Sequence, residues 1–184
     1  TLMDKGQPLL ARGIVRHALE PIVLVAHPSR ELAYEALGHI EVEYEPLTPV
    51  LTMEDSLARK QLLYGEDNVF KRIEINKGDL AAGFAAAHRI VEGEYRVHHQ
   101  EQAYIENQGM AAYFEADGSL VVMGSLQCPY YVVKALKPIF GLPEEKIRVI
   151  QTTTGGGFGG KEEYPNMIGA HAALLALKAK RPVK

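Results

Sequence analysis

A run of glycines near the carboxyl end restricts this chain more than any other feature. Five of the six residues 155–160 are glycine, and Phe158 is the exception. Without a Cβ atom, such a backbone reaches positive φ angles and lets another group approach its N–H groups closely. An apolar segment of strand length, residues 147–152, precedes the run, and a helical pattern opening at Pro165 follows it. The sequence therefore predicts a strand, a glycine loop and a helix whose N-terminus favours an anionic group.

Two phosphate-binding patterns fit this loop only in part. Gly155, Gly157 and Gly160 have the spacing of the dinucleotide fingerprint, but that motif opens a longer βαβ unit, and here only a helix follows. Gly155, Gly160 and Lys161 match all but one position of the nucleotide-binding phosphate loop, where Glu162 replaces the magnesium-binding hydroxyl. A carboxylate there would repel a triphosphate. A loop that only reverses the chain direction is a third interpretation.

Hydrophobic patterning along the rest of the chain predicts a mixture of strands and helices, which is the α+β class. Strands are predicted at residues 21–26, 39–46, 69–75 and 90–97, at the hairpin 110–115 and 120–123, and at 147–152. Helices are predicted from residue 29 to Gly38, from an Asp79 N-cap through Ala87, and from Pro129 to a stop at Gly141. Residues 53–68 have no sustained period and predict a surface connection.

Composition excludes several classes of partner and compartment. Twenty Lys and Arg against twenty-three Asp and Glu give a net charge of −3, which favours neither nucleic acid nor an anionic membrane. The longest apolar segments, 21–26 and 170–177, are far shorter than the roughly 20 residues a bilayer requires. Residues 1–6 do not have the pattern of a secretory signal. The single Cys128 excludes an intrachain disulfide, so we expect a cytoplasmic protein.

A few other side chains could carry chemistry, and each has a plainer interpretation. His98 and His99, followed by Glu101, suggest a metal site, but adjacent residues of a strand face opposite sides and do not bind one ion. Glu101 and Glu106 could form an acid–base pair, although structural carboxylates are the favoured interpretation. Cys128 precedes a helix, where a thiolate is stabilised, yet a small buried apolar residue is favoured.

Four segments in order resemble one enzyme family. Residues 155–162 resemble the glycine–phenylalanine loop, Gly-Gly-Gly-Phe-Gly-Gly-Lys-Glu, of the molybdenum hydroxylases, the xanthine dehydrogenase and aldehyde oxidase family. Residues 99–106 resemble its Gly-Gln-Glu-His-x-Tyr-Leu-Glu segment, and residues 125–129 resemble its Ser-Thr-Gln-x-Pro segment. Residues 20–25 with 42–47 resemble the end of its α/β hammerhead domain. His99 replaces the family's usual glycine, which leaves the substrate open.

The resemblance implies a division into domains. Residues 1–52 would be the C-terminal part of an α/β hammerhead-like domain, 53–78 a linker, and 79–184 the N-terminal part of a molybdopterin-binding domain with a mixed sheet and flanking helices. We expect the chain to be part of a larger enzyme and inactive alone, since the general-base glutamate and most pterin contacts belong to later domains. The implied partners are the remaining molybdopterin domains and domains or subunits that carry iron–sulfur clusters and FAD.

The resemblance also implies a molybdopterin cofactor that hydroxylates an N-heterocycle such as a purine, or an aldehyde, with oxygen from water. Gln100 would donate a hydrogen bond to the apical oxo ligand of molybdenum. The metal itself would be held by the pterin and not by a protein side chain. Gly157, Phe158 and Gly159 would lie against the cofactor and offer backbone N–H groups. Glu162 would hydrogen-bond the substrate, as in xanthine-oxidising members. The alternative is a stand-alone phosphate- or nucleotide-binding module, or a non-catalytic assembly domain, that uses residues 155–160.

Overall fold

The computed structural model describes residues 7–184. Residues 1–6, which were interpreted above as lacking a secretory signal, lie outside the described residues. The chain divides into two compact units. One is Val42–Gln100, and the other joins Glu101–Lys184 with the described part of Thr1–Glu41. Within the described part of the chain, no helix is long and apolar enough to cross a membrane.

The helices are distributed over both units, whereas the strands lie within Glu101–Lys184. The helices are α1 (Arg30–Gly38), α2 (Met53–Leu57), α3 (Leu80–Ala86), α4 (Pro129–Phe140) and α5 (Tyr164–Ala179), and the strands are β1 (Met110–Phe114), β2 (Leu120–Gly124) and β3 (Ile147–Gln151). β1 and β2 form an antiparallel hairpin, whereas β2 and β3 run parallel and are joined through α4. This three-stranded mixed sheet with flanking helices confirms the predicted α+β class.

The hydrophobic core lies between this sheet and the two long helices. Apolar side chains of all three strands meet those of α4 and α5, and the fully buried ones include Leu120, Val122, Leu126, Val132 and Leu136. Because a parallel strand pair requires a crossover, α4 packs across the sheet and returns the chain to the start of β3. The glycine loop then follows β3 and leads into α5, as the sequence predicts.

Local capping signals are confirmed. Ser29 Oγ accepts a hydrogen bond from the first turn of α1, and the Asp79 carboxylate does the same for α3. Pro129 is the first residue of α4, and Gly141 ends that helix with a φ of 64°. Each of these signals acts within a few residues, so the sequence alone is sufficient to place these helix ends.

Four predicted strands are absent from the described structure. Residues 21–26, 39–46, 69–75 and 90–97 pair with no neighbouring strand in the part of the chain from residue 7 onward. Alternating apolar residues show which side chains favour an apolar environment, but a strand also needs a partner backbone.

The predicted surface connection 53–68 contains the short helix α2, because Thr52 Oγ1 caps it. The division at 1–52, 53–78 and 79–184 stays a prediction.

Candidate functional site

The glycine loop, residues 155–160, holds an aromatic side chain in a strained position. Gly156, Phe158 and Gly159 have φ angles of 96°, 50° and 94°, all in the left-handed region. For Phe158, which has a Cβ atom, this conformation costs about 1–2 kcal/mol. Its side chain is nevertheless 76% exposed, so burial does not offset the cost. Strain of this kind is typical of binding sites, where a ligand uses the imposed geometry.

Gln127, from the segment that precedes α4, makes one hydrogen bond to the loop and two to Lys161, the residue that follows it. Its side-chain Oε1 accepts from the N–H groups of Gly159 at 3.1 Å and Lys161 at 3.2 Å, and its backbone N–H donates to the Lys161 carbonyl at 2.8 Å. A Cβ atom on Gly157 would overlap Gln127 Oε1, so any larger residue there would displace the Gln127 side chain. The side-chain NH₂ group of Gln127 has no acceptor among the described residues.

An ion pair with a buried lysine lies at the base of the loop. Glu106 Oε2 accepts from the backbone N–H of Gly155 and from Lys161 Nζ, each at 2.7 Å, and from the Ser125 hydroxyl. The Lys161 side chain is fully buried, donates also to Ser125 Oγ at 3.0 Å, and places Nζ 4.8 Å from the centre of the Tyr104 ring. Both charges of this cluster therefore have a partner.

The three donors set the protonation of Glu106. Lys161, then Ser125 and the Gly155 N–H, lower the pKa of this carboxyl from the usual 4.5 to about 2. Glu106 is therefore ionised at neutral pH and is a poor proton donor. Among residues 7–184, the Glu101 carboxylate accepts only from the neighbouring Gln102 N–H. The arrangement favours structural roles for both carboxylates over an acid–base pair.

Acid should weaken the fold through Glu106. Because the folded-state pKa is depressed, the stabilisation is complete above about pH 4.5 and is lost as the pH falls toward about 2. Between these values we expect the melting temperature of the wild-type protein to fall more steeply than that of a Glu106→Gln variant. Thermal melts from pH 7 to 2 measure it, with exposed Glu145→Gln as the control. Parallel curves for wild type and Glu106→Gln would contradict this assignment.

Tyr104 and Gln108 hold the other end of the loop. Gln108 Nε2 donates to the Gly160 carbonyl at 2.6 Å and to the Tyr104 hydroxyl at 2.8 Å. A Cβ atom on Gly160 would overlap the Tyr104 ring, so only glycine leaves room for that ring. Gln102, Tyr104 and Glu106 of the 99–106 segment therefore lie against the loop, although about 50 residues separate the two in sequence.

The backbone N–H groups of the predicted cofactor contacts Gly157, Phe158 and Gly159 differ in whether they have a hydrogen-bond acceptor. The N–H of Gly159 is already bonded to Gln127. The N–H groups of Gly157 and Phe158 donate to no acceptor within residues 7–184, so they are the donors that a ligand could use. Gln100 is exposed and ends the other unit, in a segment without helix or strand.

Glu162, two residues after the end of the loop, is exposed, and its charge acts on Cys128. Burial, and then the negative charge of Glu162, raise the pKa of the Cys128 thiol. This result favours the neutral, packed thiol over a reactive thiolate.

Two residues of the site could not be recognised from the sequence. Gln127 lies inside the 125–129 segment, but nothing local indicates that its amide binds the loop. Lys161 matches the lysine of a phosphate loop. Its ammonium is instead fully buried against Glu106 and is not available to a phosphate, which counts against the nucleotide-binding alternative. In the described part of the chain, no three His, Cys, Asp or Glu side chains cluster as metal ligands.

Comparison with known proteins identifies the family. The model of the molybdopterin cofactor-binding domain matches residues 64–184. The chain belongs to this family. It is 35% identical over 184 residues to the nicotinate dehydrogenase large molybdopterin subunit of Eubacterium barkeri, covering all of this chain and 43% of the relative. It is 38% identical to a probable xanthine dehydrogenase subunit of Bacillus subtilis, covering 97% of this chain and 24% of the relative.

A solved structure agrees with this assignment. Quinoline 2-oxidoreductase from Pseudomonas putida 86 superimposes with a TM-score of 0.81 at 30% identity, over 96% of this chain and 23% of that one. The molybdopterin-binding chain described here thus spans less than half the length of these relatives. The resemblance to the molybdenum hydroxylases is confirmed, and molybdopterin is the cofactor of the family. The alternative of a nucleotide-binding module is not favoured.

Proposed function

We propose that the protein containing this chain is a molybdenum hydroxylase that oxidises a carbon of an N-heterocycle, with water as the source of oxygen. The observation that carries the proposal is the exposed Phe158, held in a strained loop beside N–H groups that have no acceptor among residues 7–184. Nicotinate, xanthine and quinoline, in the names of three relatives, are all N-heterocycles. Aldehydes are the second candidate, because an indole-3-acetaldehyde oxidase of Arabidopsis thaliana is 33% identical.

The loop residues are chemically suited to such a cofactor. Uncharged N–H donors, here on Gly157 and Phe158, suit the oxygen ligands of a metal and the polar edges of a pterin. When bound, the molybdenum–pterin group accepts the two electrons removed from the substrate. The Phe158 ring would cover the site and exclude water. No side chain of this chain is proposed to ligate molybdenum.

Two amides compete for the role of donor to the apical oxo ligand. Gln100 is the residue that the 99–106 motif nominates, and we keep it as a proposal. Gln127 is a second candidate because its Oε1 is bonded to the loop, which leaves its NH₂ group for a partner outside the described residues. Alanine variants of the two residues should therefore differ in turnover.

The rest of the enzyme is proposed to supply what this chain lacks. Further molybdopterin domains would enclose the cofactor and provide the general base, and iron–sulfur and FAD domains or subunits would carry electrons away. We place the enzyme in the cytoplasm, where a chain with one cysteine needs no disulfide. The isolated 184-residue chain should therefore contain no molybdenum and have no activity.

The proposed function is tested with the full-length protein. We expect molybdenum and pterin near one per chain, and we expect a product that gains the heavy isotope when a purine, quinoline or aldehyde is oxidised in ¹⁸O-labelled water. Label that enters from O₂, or a preparation without molybdenum, would overturn the proposal. A rise in melting temperature with ATP and magnesium would support the nucleotide-binding alternative.

Glu162 is proposed to select the substrate through a hydrogen bond to a ring nitrogen or oxygen. Such a bond to a charged group contributes about 1.5–3 kcal/mol, or roughly one to two powers of ten in kcat/KM. We expect Glu162→Val to weaken purine oxidation by that factor and to spare aromatic aldehydes. The neighbouring Glu163→Val variant is the control for lost negative charge near α5. Equal losses for both substrate classes would mean that Glu162 supports the loop instead.

A further inference from the structure

The buried Lys161 is not explained by cofactor or substrate binding. Its side chain has no exposed surface, and its ion-pair partner is Glu106, whose side chain is 42% exposed. A buried ion pair is weak support for stability, because apolar groups of the same volume often serve a fold equally well. Its directional hydrogen bonds do fix geometry, and so its presence under the glycine loop points to a positioning role.

The ion pair joins the two ends of the loop. Gly155, the first loop residue, donates its N–H to Glu106 Oε2, and Lys161, directly after the last, donates Nζ to the same oxygen. Ser125 bonds both partners. One carboxylate oxygen therefore sets the distance between the start and end of the loop, at two contacts of 2.7 Å.

The same cluster orients the other groups of the site. Lys161 is held at its backbone by Gln127, so the ion pair also fixes where the Gln127 amide meets the loop. The loop segment between the anchored residues contains Gly157 and Phe158, whose N–H groups have no acceptor among residues 7–184. Displacement of either anchor would shift these donors together.

We propose that Lys161 and Glu106 are positioning residues that close the base of the glycine loop, so that its free N–H groups and the Gln127 amide keep the spacing that the cofactor requires. The proposal rests on the proposed function for its consequence in catalysis. The order of the loop backbone itself does not depend on that function and can be measured separately.

The decisive variant is the double substitution Lys161→Met with Glu106→Gln in the full-length protein. It removes both charges and keeps approximate size, so no unpaired charge remains buried and the melting temperature should stay close to wild type. We expect faster hydrogen exchange in peptides covering residues 152–163. In the loaded enzyme we expect a changed electron paramagnetic resonance spectrum of the metal and a kcat lowered by up to about 100-fold, as for misplaced catalytic groups.

The matched control is a second Lys–carboxylate pair in the same unit. Lys146 Nζ lies 2.8 Å from Asp117 Oδ2 at the hairpin turn, so Lys146→Met with Asp117→Asn removes an ion pair away from the loop. It should leave loop exchange and the spectrum unchanged. If the Lys161 and Glu106 double variant behaves like this control, the positioning role is excluded.

Other outcomes separate this proposal from the proposed function. If the wild-type protein contains no molybdenum, the proposed hydroxylase function is wrong. The positioning role is rejected only if hydrogen exchange in the loop of the double variant equals that of the wild type. If the double variant does not fold, Glu106→Asp replaces it, because it keeps the charge and withdraws the carboxylate from Gly155 and Lys161. Wild-type loop exchange and kcat in that variant would overturn the proposal.

Discussion

Gln127→Ala should lower the turnover per bound molybdenum of the full-length enzyme by about 10²–10³-fold, the size of effect that follows loss of one preorganised donor. The reason is that the two ends of the Gln127 amide have different roles: its oxygen binds the loop, and its NH₂ group is left to donate to the cofactor. Its Oε1 accepts from Gly159 and Lys161. Kinetics and elemental analysis on the same preparation measure rate and metal together.

A second variant separates the two ends of the amide. Gln127→Glu keeps an oxygen for the N–H groups of Gly159 and Lys161 but loses the NH₂ donor. If the donor matters, Gln127→Glu should be as slow as Gln127→Ala while loop hydrogen exchange stays normal. Recovery of the wild-type rate in Gln127→Glu would restrict Gln127 to support of the loop.

Gln100→Ala is the parallel experiment, because the 99–106 motif nominates Gln100 for the same role. One apical ligand needs one such donor, so only one of the two alanine variants should show the full loss. The loop contacts of Gln127 make it the variant for which we expect that loss. Gln61→Ala is the control, because Gln61 belongs to the Val42–Gln100 unit and its side-chain NH₂ group contacts the carbonyl of the adjacent Leu62. A full loss in Gln100→Ala with a normal Gln127→Ala would return the role to Gln100.

The features that could be predicted from the sequence are those that act over short distances. The Ser29 and Asp79 caps, the Gly141 stop and the hairpin around Gly118 each depend on a few adjacent residues. The strand predicted at 21–26 was wrong, because a strand forms only when it pairs with a backbone segment that is distant in sequence, and a local pattern does not reveal such a partner. The glycine loop itself could be predicted, since five glycines leave few other conformations open.

The supports of the loop could not be predicted because their partners are far apart in sequence. Glu106 and Lys161 are 55 residues apart, and Gln127 and Lys161 are 34 apart. Each of these residues lies inside a motif or beside one, yet a motif records which residues occur together and not which atoms bond. The neighbours of Lys161 in sequence match a phosphate loop, whereas its burial against Glu106 determines its chemistry.

Gly160→Ala should deprive the enzyme of its cofactor while the chain still folds. The added Cβ would overlap the Tyr104 ring, and that ring is held at its hydroxyl by Gln108 and faces the Lys161 ammonium. Because neither side moves freely, the loop must shift, and overpacking of this kind costs about 1–3 kcal/mol of folding free energy. We expect a lower melting temperature and a large loss of bound molybdenum.

The control and the rescue make the cause of that loss specific. Gly109→Ala adds the same methyl group where no atom lies within 4 Å and should change neither property. Combining Gly160→Ala with Tyr104→Ala removes the colliding ring, so molybdenum content should recover in part even though the Gln108 contact to the ring is lost. Full molybdenum content in Gly160→Ala alone would mean that the cofactor still binds when the end of the loop is displaced. Cofactor binding would then not depend on a fixed loop geometry.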